Sequence, residues 1–219
     1  MSRRLLAFAV AFGLLGAGGS EVAGNKIDFM RDGGGVPPTD FAFRRTGRGS
    51  NGDWAVVRDA TASTGLAIEQ SSRDATENRY PLAIYKPASL KNVEIGASFK
   101  LIAGAAQSAG LAFRLMDTGN YYVVAANALE GRVDLYRFGD GERERIAGTE
   151  ADVVRDRWQS LRVVVEGDHV TVALDKRLLF MAWDRGLLKD GRIALWTEED
   201  TVARFDQLEI IPHPWQEHD

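Results

Sequence analysis

Residues 159–175, "QSLRVVVEGDHVTVALD", decide the fold. Leu161, Val163 and Val165 share one side of an extended chain, and Glu166-Gly167-Asp168 turns it. Val170, Val172 and Leu174 then continue the same apolar face. An apolar period of two that resumes across a glycine turn marks a β-hairpin with one face in a core.

The same rhythm extends outward from this hairpin. Asp175-Lys176-Arg177 makes the next turn and "LLFMAW" (178–183) the next strand, followed by "GRIALWT" (191–197) and "VARFDQLEII" (202–211). Upstream, "DWAVVRD" (53–59), "LAIEQ" (66–70), "PLAIYK" (81–86), "VEIGASFKLIAG" (93–104) and "LAFRL" (111–115) behave alike. Short strands separated by turn residues predict an all-β fold, an antiparallel sandwich of the jelly-roll kind. "SLKNV" (89–93) and "EADVVRDRW" (150–158) are the segments expected to form helical turns. "RDGGGVPPTD" (31–40) reads as a loop, because its glycines and prolines cannot join a ladder interior. With no repeat and no linker, one domain is expected over 25–211, then a polar tail over 212–219.

Composition narrows the function classes. The chain has 219 residues, 45% of them apolar, enough for a real core. Its formal net charge of −4 argues against a nucleic-acid partner, which needs a basic face. There is no cysteine, so disulfides, thiolate zinc sites and thiol nucleophiles are excluded. Met1-Ser2-Arg3-Arg4 precedes the apolar run "LLAFAVAFGLLGAG", and Val22-Ala23-Gly24 offers a cleavage site. This pattern predicts a signal peptide over 1–24 and a protein exported to the periplasm or beyond. The run is shorter than the ~20 residues of a comfortable span, so no membrane insertion is expected after cleavage.

Catalytic motifs are incomplete. Gly47-Arg48-Gly49-Ser50-Asn51-Gly52 fits G-x-G-x-x-G but leads into a strand pattern, whereas a dinucleotide fingerprint must open a helix. His169, His213 and His218 lack metalloprotease spacing, and there is no G-x-S-x-G elbow. Glycoside hydrolysis needs two facing carboxylates. Glu150-x-Asp152 and Glu198-x-Asp200 begin the E-x-D-x-x-E strand pattern but continue to Arg155 and Ala203. Glu198-Glu199-Asp200 therefore reads as a solvated turn. Asp200 and Asp206 are candidate calcium ligands whose partners the sequence does not name; no cofactor is otherwise expected.

"GNYYVVAANALEGRVDLYRFGDGER" (119–143) carries side chains suited to a sugar: rings to stack on a pyranose and planar polar groups for hydroxyls. Period two places Tyr121 and Tyr122 on opposite faces, with Asn127 on the side of Tyr121. Arg114, Tyr136 and Trp196 are further candidates on neighbouring strands. Ordinary cross-strand packing explains the same residues without a site.

The runs Asp117 to Tyr122 (D-x-x-N-Y-Y), Asn127-Ala128-Leu129-Glu130, Leu135-Tyr136-Arg137, Trp158, and Gly191 to Asp206 together carry a resemblance. Over residues 26–211 the chain resembles secreted bacterial concanavalin A/laminin-G-like jelly-roll domains grouped with the 3-keto-disaccharide hydrolase superfamily. The resemblance implies a sandwich with a curved inner sheet on which relatives bind or process glycans. The chain departs from that pattern at Ala125-Ala126, where an arginine is common, and at Asp175-Lys176-Arg177, where Asp-Gly-Lys is usual. It also lacks the glutamate strand of the better-characterised hydrolases, so no catalytic residue carries over. The expectation is non-catalytic carbohydrate binding at the inner sheet by Arg114, Tyr122, Asn127 and Trp196. The alternatives are a hydrolase or lyase acting on keto-sugar disaccharides, and a structural or adhesion module contacting protein.

Overall fold

The structure, a computed structural model of the chain, describes residues 24–213. Residues 1–23 of the expected signal peptide and 214–219 of the expected tail lie outside the described residues. The strands, in chain order, are β1 Asn25–Ile27, β2 Phe41–Gly47, β3 Trp54–Arg58, β4 Leu66–Gln70, β5 Arg79–Leu90, β6 Val93–Ala103, β7 Ser108–Asp117 and β8 Asn120–Asn127. They continue as β9 Arg132–Gly139, β10 Glu142–Glu150, β11 Gln159–Glu166, β12 His169–Leu174, β13 Arg177–Trp183, β14 Gly191–Thr197 and β15 Val202–Pro212. All pairings are antiparallel. One sheet has the order β13-β12-β11-β6-β15-β4-β3, with β1 added beside β15; the other has the order β10-β9-β8-β7-β14-β5-β2. The two stack face to face as a concanavalin A-like jelly-roll sandwich.

The deciding hairpin forms as its pattern requires. In β11–β12, Leu161 pairs with Leu174, Val163 with Val172 and Val165 with Val170, and all six side chains are buried between the sheets. The apolar faces of β6, β7, β8, β14 and β15 complete that core through Ile95, Leu111, Val124, Leu195 and Phe205. At ~25 cal/mol per Å² of buried apolar surface, this layer is the main favourable contribution to folding.

Neither expected helical turn forms. Lys91-Asn92 is a tight link between β5 and β6. Residues 151–154 form a three-residue turn, Val153 N to Ala151 O, and not a helix; Gln159 satisfies the rest of their backbone, its amide accepting from Val154 N and donating to Asp152 O. Val153 is thereby pressed into the core. Pro212 occupies the last rung of β15, opposite Val93, rather than beginning the tail. The glycine motif at 47–52 connects β2 to β3, and no helix N-terminus follows it. No helix among the described residues is long and apolar enough to cross a membrane.

Candidate functional site

The outer face of the seven-stranded sheet is deeply concave. Tyr80 on β5 and Phe138 on β9 lie four strands apart, ~19 Å on a flat sheet at ~4.8 Å per strand. Their rings nevertheless meet edge to face with centroids 5.0 Å apart. Tyr80 also stacks on Trp196 at 5.5 Å, and Tyr121 on Phe138 at 4.5 Å. The Thr46 hydroxyl of β2 reaches the Tyr121 hydroxyl of β8 at 2.9 Å. The sheet curls until its two sides touch, and its own aromatic residues fill the hollow.

This curl decides where the four expected binding residues end up. Trp196 points to the concave face, as its parity requires, but it is 0% exposed beneath Tyr80. Tyr122 (1% exposed) faces the inter-sheet core; its hydroxyl donates to Asp184 and accepts from Leu187 N. Burial, followed by the Asp184 contact, pushes its pKa up to about 12. Arg114 (1% exposed) follows a register shift that begins after Phe113 and gives its guanidinium to the carbonyls of Lys91, Leu187 and Gly167. Asn127 alone of the four sits on the concave side and half-open, where its side-chain oxygen accepts from Glu130 N. The structure therefore does not bring the four together.

A different set is gathered on that face. Asp134 on β9 is buried and accepts from Arg132 Nε at 2.5 Å and from Arg145 Nε on β10 at 2.7 Å; the Tyr136 hydroxyl lies 3.3 Å away. Gly148 is registered opposite Asp134, and any side chain there would collide with the carboxylate. Arg143 lies over the Tyr136 ring at 4.7 Å and the Tyr80 ring at 5.3 Å, and its guanidinium meets Glu198 at 2.8 Å. Asn127 pairs in register with Arg132, at the margin of the set. Burial raises the pKa of Tyr136 to about 12, with the Asp134 charge adding to it. Burial also raises the Glu198 pKa, against the opposing pull of Arg143.

The Glu198 side chain is 14% exposed, so it is not a residue of a solvated turn. Asp200 accepts from the backbone of Ala105 and Ala106, and Asp206 from Ser63. No group of three or more histidine, aspartate or glutamate side chains among the described residues is placed to hold a metal ion. The sequence did contain the signal for the new set: Arg132, Asp134 and Tyr136 alternate against the core residues Val133 and Leu135. Arg143-x-Arg145 repeats that rhythm on the next strand.

Chemically, the set is a network of three guanidiniums and two carboxylates that hold one another in place. Each arginine fork keeps N–H donors beyond those it spends internally, and Glu198 keeps lone pairs, whereas Asp134 spends its own on Arg132, Arg145 and Tyr136. A polyhydroxylated ligand, donor and acceptor at once, matches such a surface.

No protein-family model matches the chain, and no curated protein matches it. Solved structures do. A carbohydrate-binding module, CBM66, from Bacillus subtilis is 22% identical with a TM-score of 0.61, covering 73% of this chain and 91% of the module. A β-glucanase from Bacillus licheniformis is 9% identical with a TM-score of 0.57, covering 87% and 98%. A Bacillus subtilis protein of unknown function with a galectin-like fold is 10% identical with a TM-score of 0.55, covering 81% and 91%. These likenesses establish the jelly-roll fold.

Proposed function

We propose that the chain is an exported, non-catalytic carbohydrate-binding domain whose ligand sits on the rim of the concave sheet. The observation that carries this reading is the Arg132–Asp134–Arg145 network with Tyr136, Arg143 and Glu198 beside it. It is partly open and rigidly cross-braced, on the face whose hollow the sheet's own aromatic residues fill. A protein named for carbohydrate binding shares the fold. Recognition here is polar, because the rings of Trp196, Tyr80 and Tyr121 are spent on filling the hollow.

The test is glycan-array binding with Arg145→Ala. Arg145 is half exposed, and Asp134 keeps Arg132 when it is removed. Losing a charged hydrogen bond to the ligand is expected to weaken binding roughly tenfold, with the thermal midpoint almost unchanged. A variant that binds like the parent chain, or a parent chain that retains no glycan, would sink the reading.

One observation favours a second reading, a glycan-active hydrolase or lyase of the keto-disaccharide type. Glu198 is a carboxylate on the concave face whose pKa is raised by burial, as a general acid requires. Against it, Arg143 holds Glu198 in an ion pair and Asp134 is saturated by two arginines and a tyrosine. Reducing-sugar release from a panel of plain and keto-disaccharides, lost in Glu198→Gln, would establish this second reading in place of the first.

A further inference from the structure

The eight-stranded sheet carries a feature that the concave-face reading does not use. On its outer face, at the centre of β6, the Arg162–Glu209 ion pair spans Gly96, which contributes no side chain of its own. A cleft of about 170 Å³ opens over it, between β11, β15 and the β12–β13 turn. The chain shapes this cleft deliberately. In β15, Asp206 pairs with Ser98 and Glu209 with Gly96, so one extra residue is inserted between these rungs. The bulge drives Leu208 into the core and sets Gln207, at φ 53°, on the wall. Lys176 on the opposite wall holds φ 67° in the turn after β12. Both conformations come from the sheet itself: Asp175 (φ 49°) and Lys176 form a two-residue hairpin turn, and Gln207 belongs to the bulge.

The polar groups of this cleft have a consistent character. Ser98, Ser160, Gln207 and Lys176 all line it, and none of their side chains makes a hydrogen bond or ion pair within the described residues. Arg162 also lines it, but its charge is taken up by Glu94 and Glu209. Asp175, the carboxylate nearest in sequence to Lys176, is occupied by Gln159 and Ser160 N. What remains unengaged is the Lys176 ammonium with two hydroxyls and an amide, beside the Arg162–Glu209 pair, whose Glu209 also lines the cleft. The volume is below the ~300–1,000 Å³ of a drug-sized pocket and suits one small polar ring.

We propose that this cleft is a second carbohydrate subsite, independent of the concave face, which takes a single uronic-acid unit. Lys176 meets the carboxylate, while Ser98, Ser160 and Gln207 meet the hydroxyls. A chain with sites on opposite sheets can engage two glycan strands at once, or two stretches of one strand, with the gain in avidity that follows.

The test is an amide-resolved NMR titration of the full chain with D-glucuronate, D-glucose and acetate in turn. Saturable shifts at Gly96, Ser98, Ser160 and Gln207 are expected with glucuronate, at about tenfold lower affinity with glucose, and not with acetate. Lys176→Ala should reduce glucuronate affinity to the glucose level. Gly96→Val should abolish the shifts while preserving the fold, since a Cβ at Gly96 finds its nearest neighbour at 3.9 Å and the backbone there is ordinary strand. Absence of saturation, an equal response to acetate, or Gly96→Val binding like the parent chain would overturn the proposal. Shifts confined to Asp134 and Arg145 would overturn it too, while leaving the concave-face reading standing.

Discussion

Arg79 and Arg114 are both buried, and each places its guanidinium among backbone carbonyls of three separate loops. Arg79 donates to the carbonyls of Ser50, Asp74 and Glu199; Arg114 donates to those of Lys91, Gly167 and Leu187. They sit at opposite ends of the sandwich, since β5 begins at Arg79 and Lys91 follows its last residue. Loop carbonyls drawn into a protein interior need donors, and one guanidinium supplies several. Arg114→Leu should therefore destabilise the chain by about 3 kcal/mol or more, because three carbonyls lose a charged donor together. Arg114→Lys should recover little, since an ammonium cannot reproduce the fork. Urea midpoints check both, and an unaffected Leu variant would refute the assignment. Strand alternation could not reveal this role. It places Arg114 opposite the core-facing Phe113, but the register breaks after Phe113 and carries the side chain into the loops. Trp196 shows a different limit: alternation gives its face correctly, whereas its burial under Tyr80 depends on a curl that brings Tyr80 and Phe138, four strands apart, together.

Each sheet ends in two edge strands, and three of the four are defended. The outer edge of β3 is covered by Gly35 and Val36, which exchange hydrogen bonds with Val56. β10 opens with Glu142, Arg143, Glu144 and Arg145 and then shifts register, and β2 carries Arg44 and Arg45. β13 is bulged at Leu179 but is neither covered nor charged beyond Arg177 at its start: Leu178, Met181 and Trp183 are 53–59% exposed. An apolar edge without charge or proline invites strand addition. Met181→Lys is expected to lower concentration-dependent light scattering on warming while shifting the unfolding midpoint little, as surface changes usually do. Unchanged scattering would show that the edge is protected in another way. The elements themselves were largely legible, because the period of two and the turn residues at 167 and 175–176 set the register of β11, β12 and β13. The two expected helical turns failed for local reasons: a two-residue link sufficed at Lys91-Asn92, and Gln159 bound the backbone that a helix would have needed.

For the molecule as a whole, acid is the informative stress. Burial works against ionisation of Asp59, but hydrogen bonds from Lys100, Thr61 and Arg204 outweigh it and hold the carboxyl well below the usual range. Asp184 is lowered as well; burial opposes the shift, and Tyr122, the Gly186 N–H and Arg137 produce it. A lowered carboxylate contributes stability that is fully present above its unfolded value of 3.8 and is lost as pH falls through its folded value. Glu198 has the opposite sign: its contribution holds below the unfolded 4.5 and fades as pH rises through its raised value. The thermal midpoint should thus stay nearly level around neutrality and fall steeply below about pH 4. Asp59→Asn should lie lower at pH 7 and fall less steeply in acid, and parallel curves for the two proteins would contradict the linkage. The arginine ties at either end behave otherwise. Guanidinium stays charged throughout this range, and its carbonyl partners have no proton to gain or lose. In a chain without a single thiol, those two clasps do the work that cystines do elsewhere. Maturation then needs no oxidase and refolding no shuffling step, and the loops stay fastened whether the surroundings are reducing or oxidising.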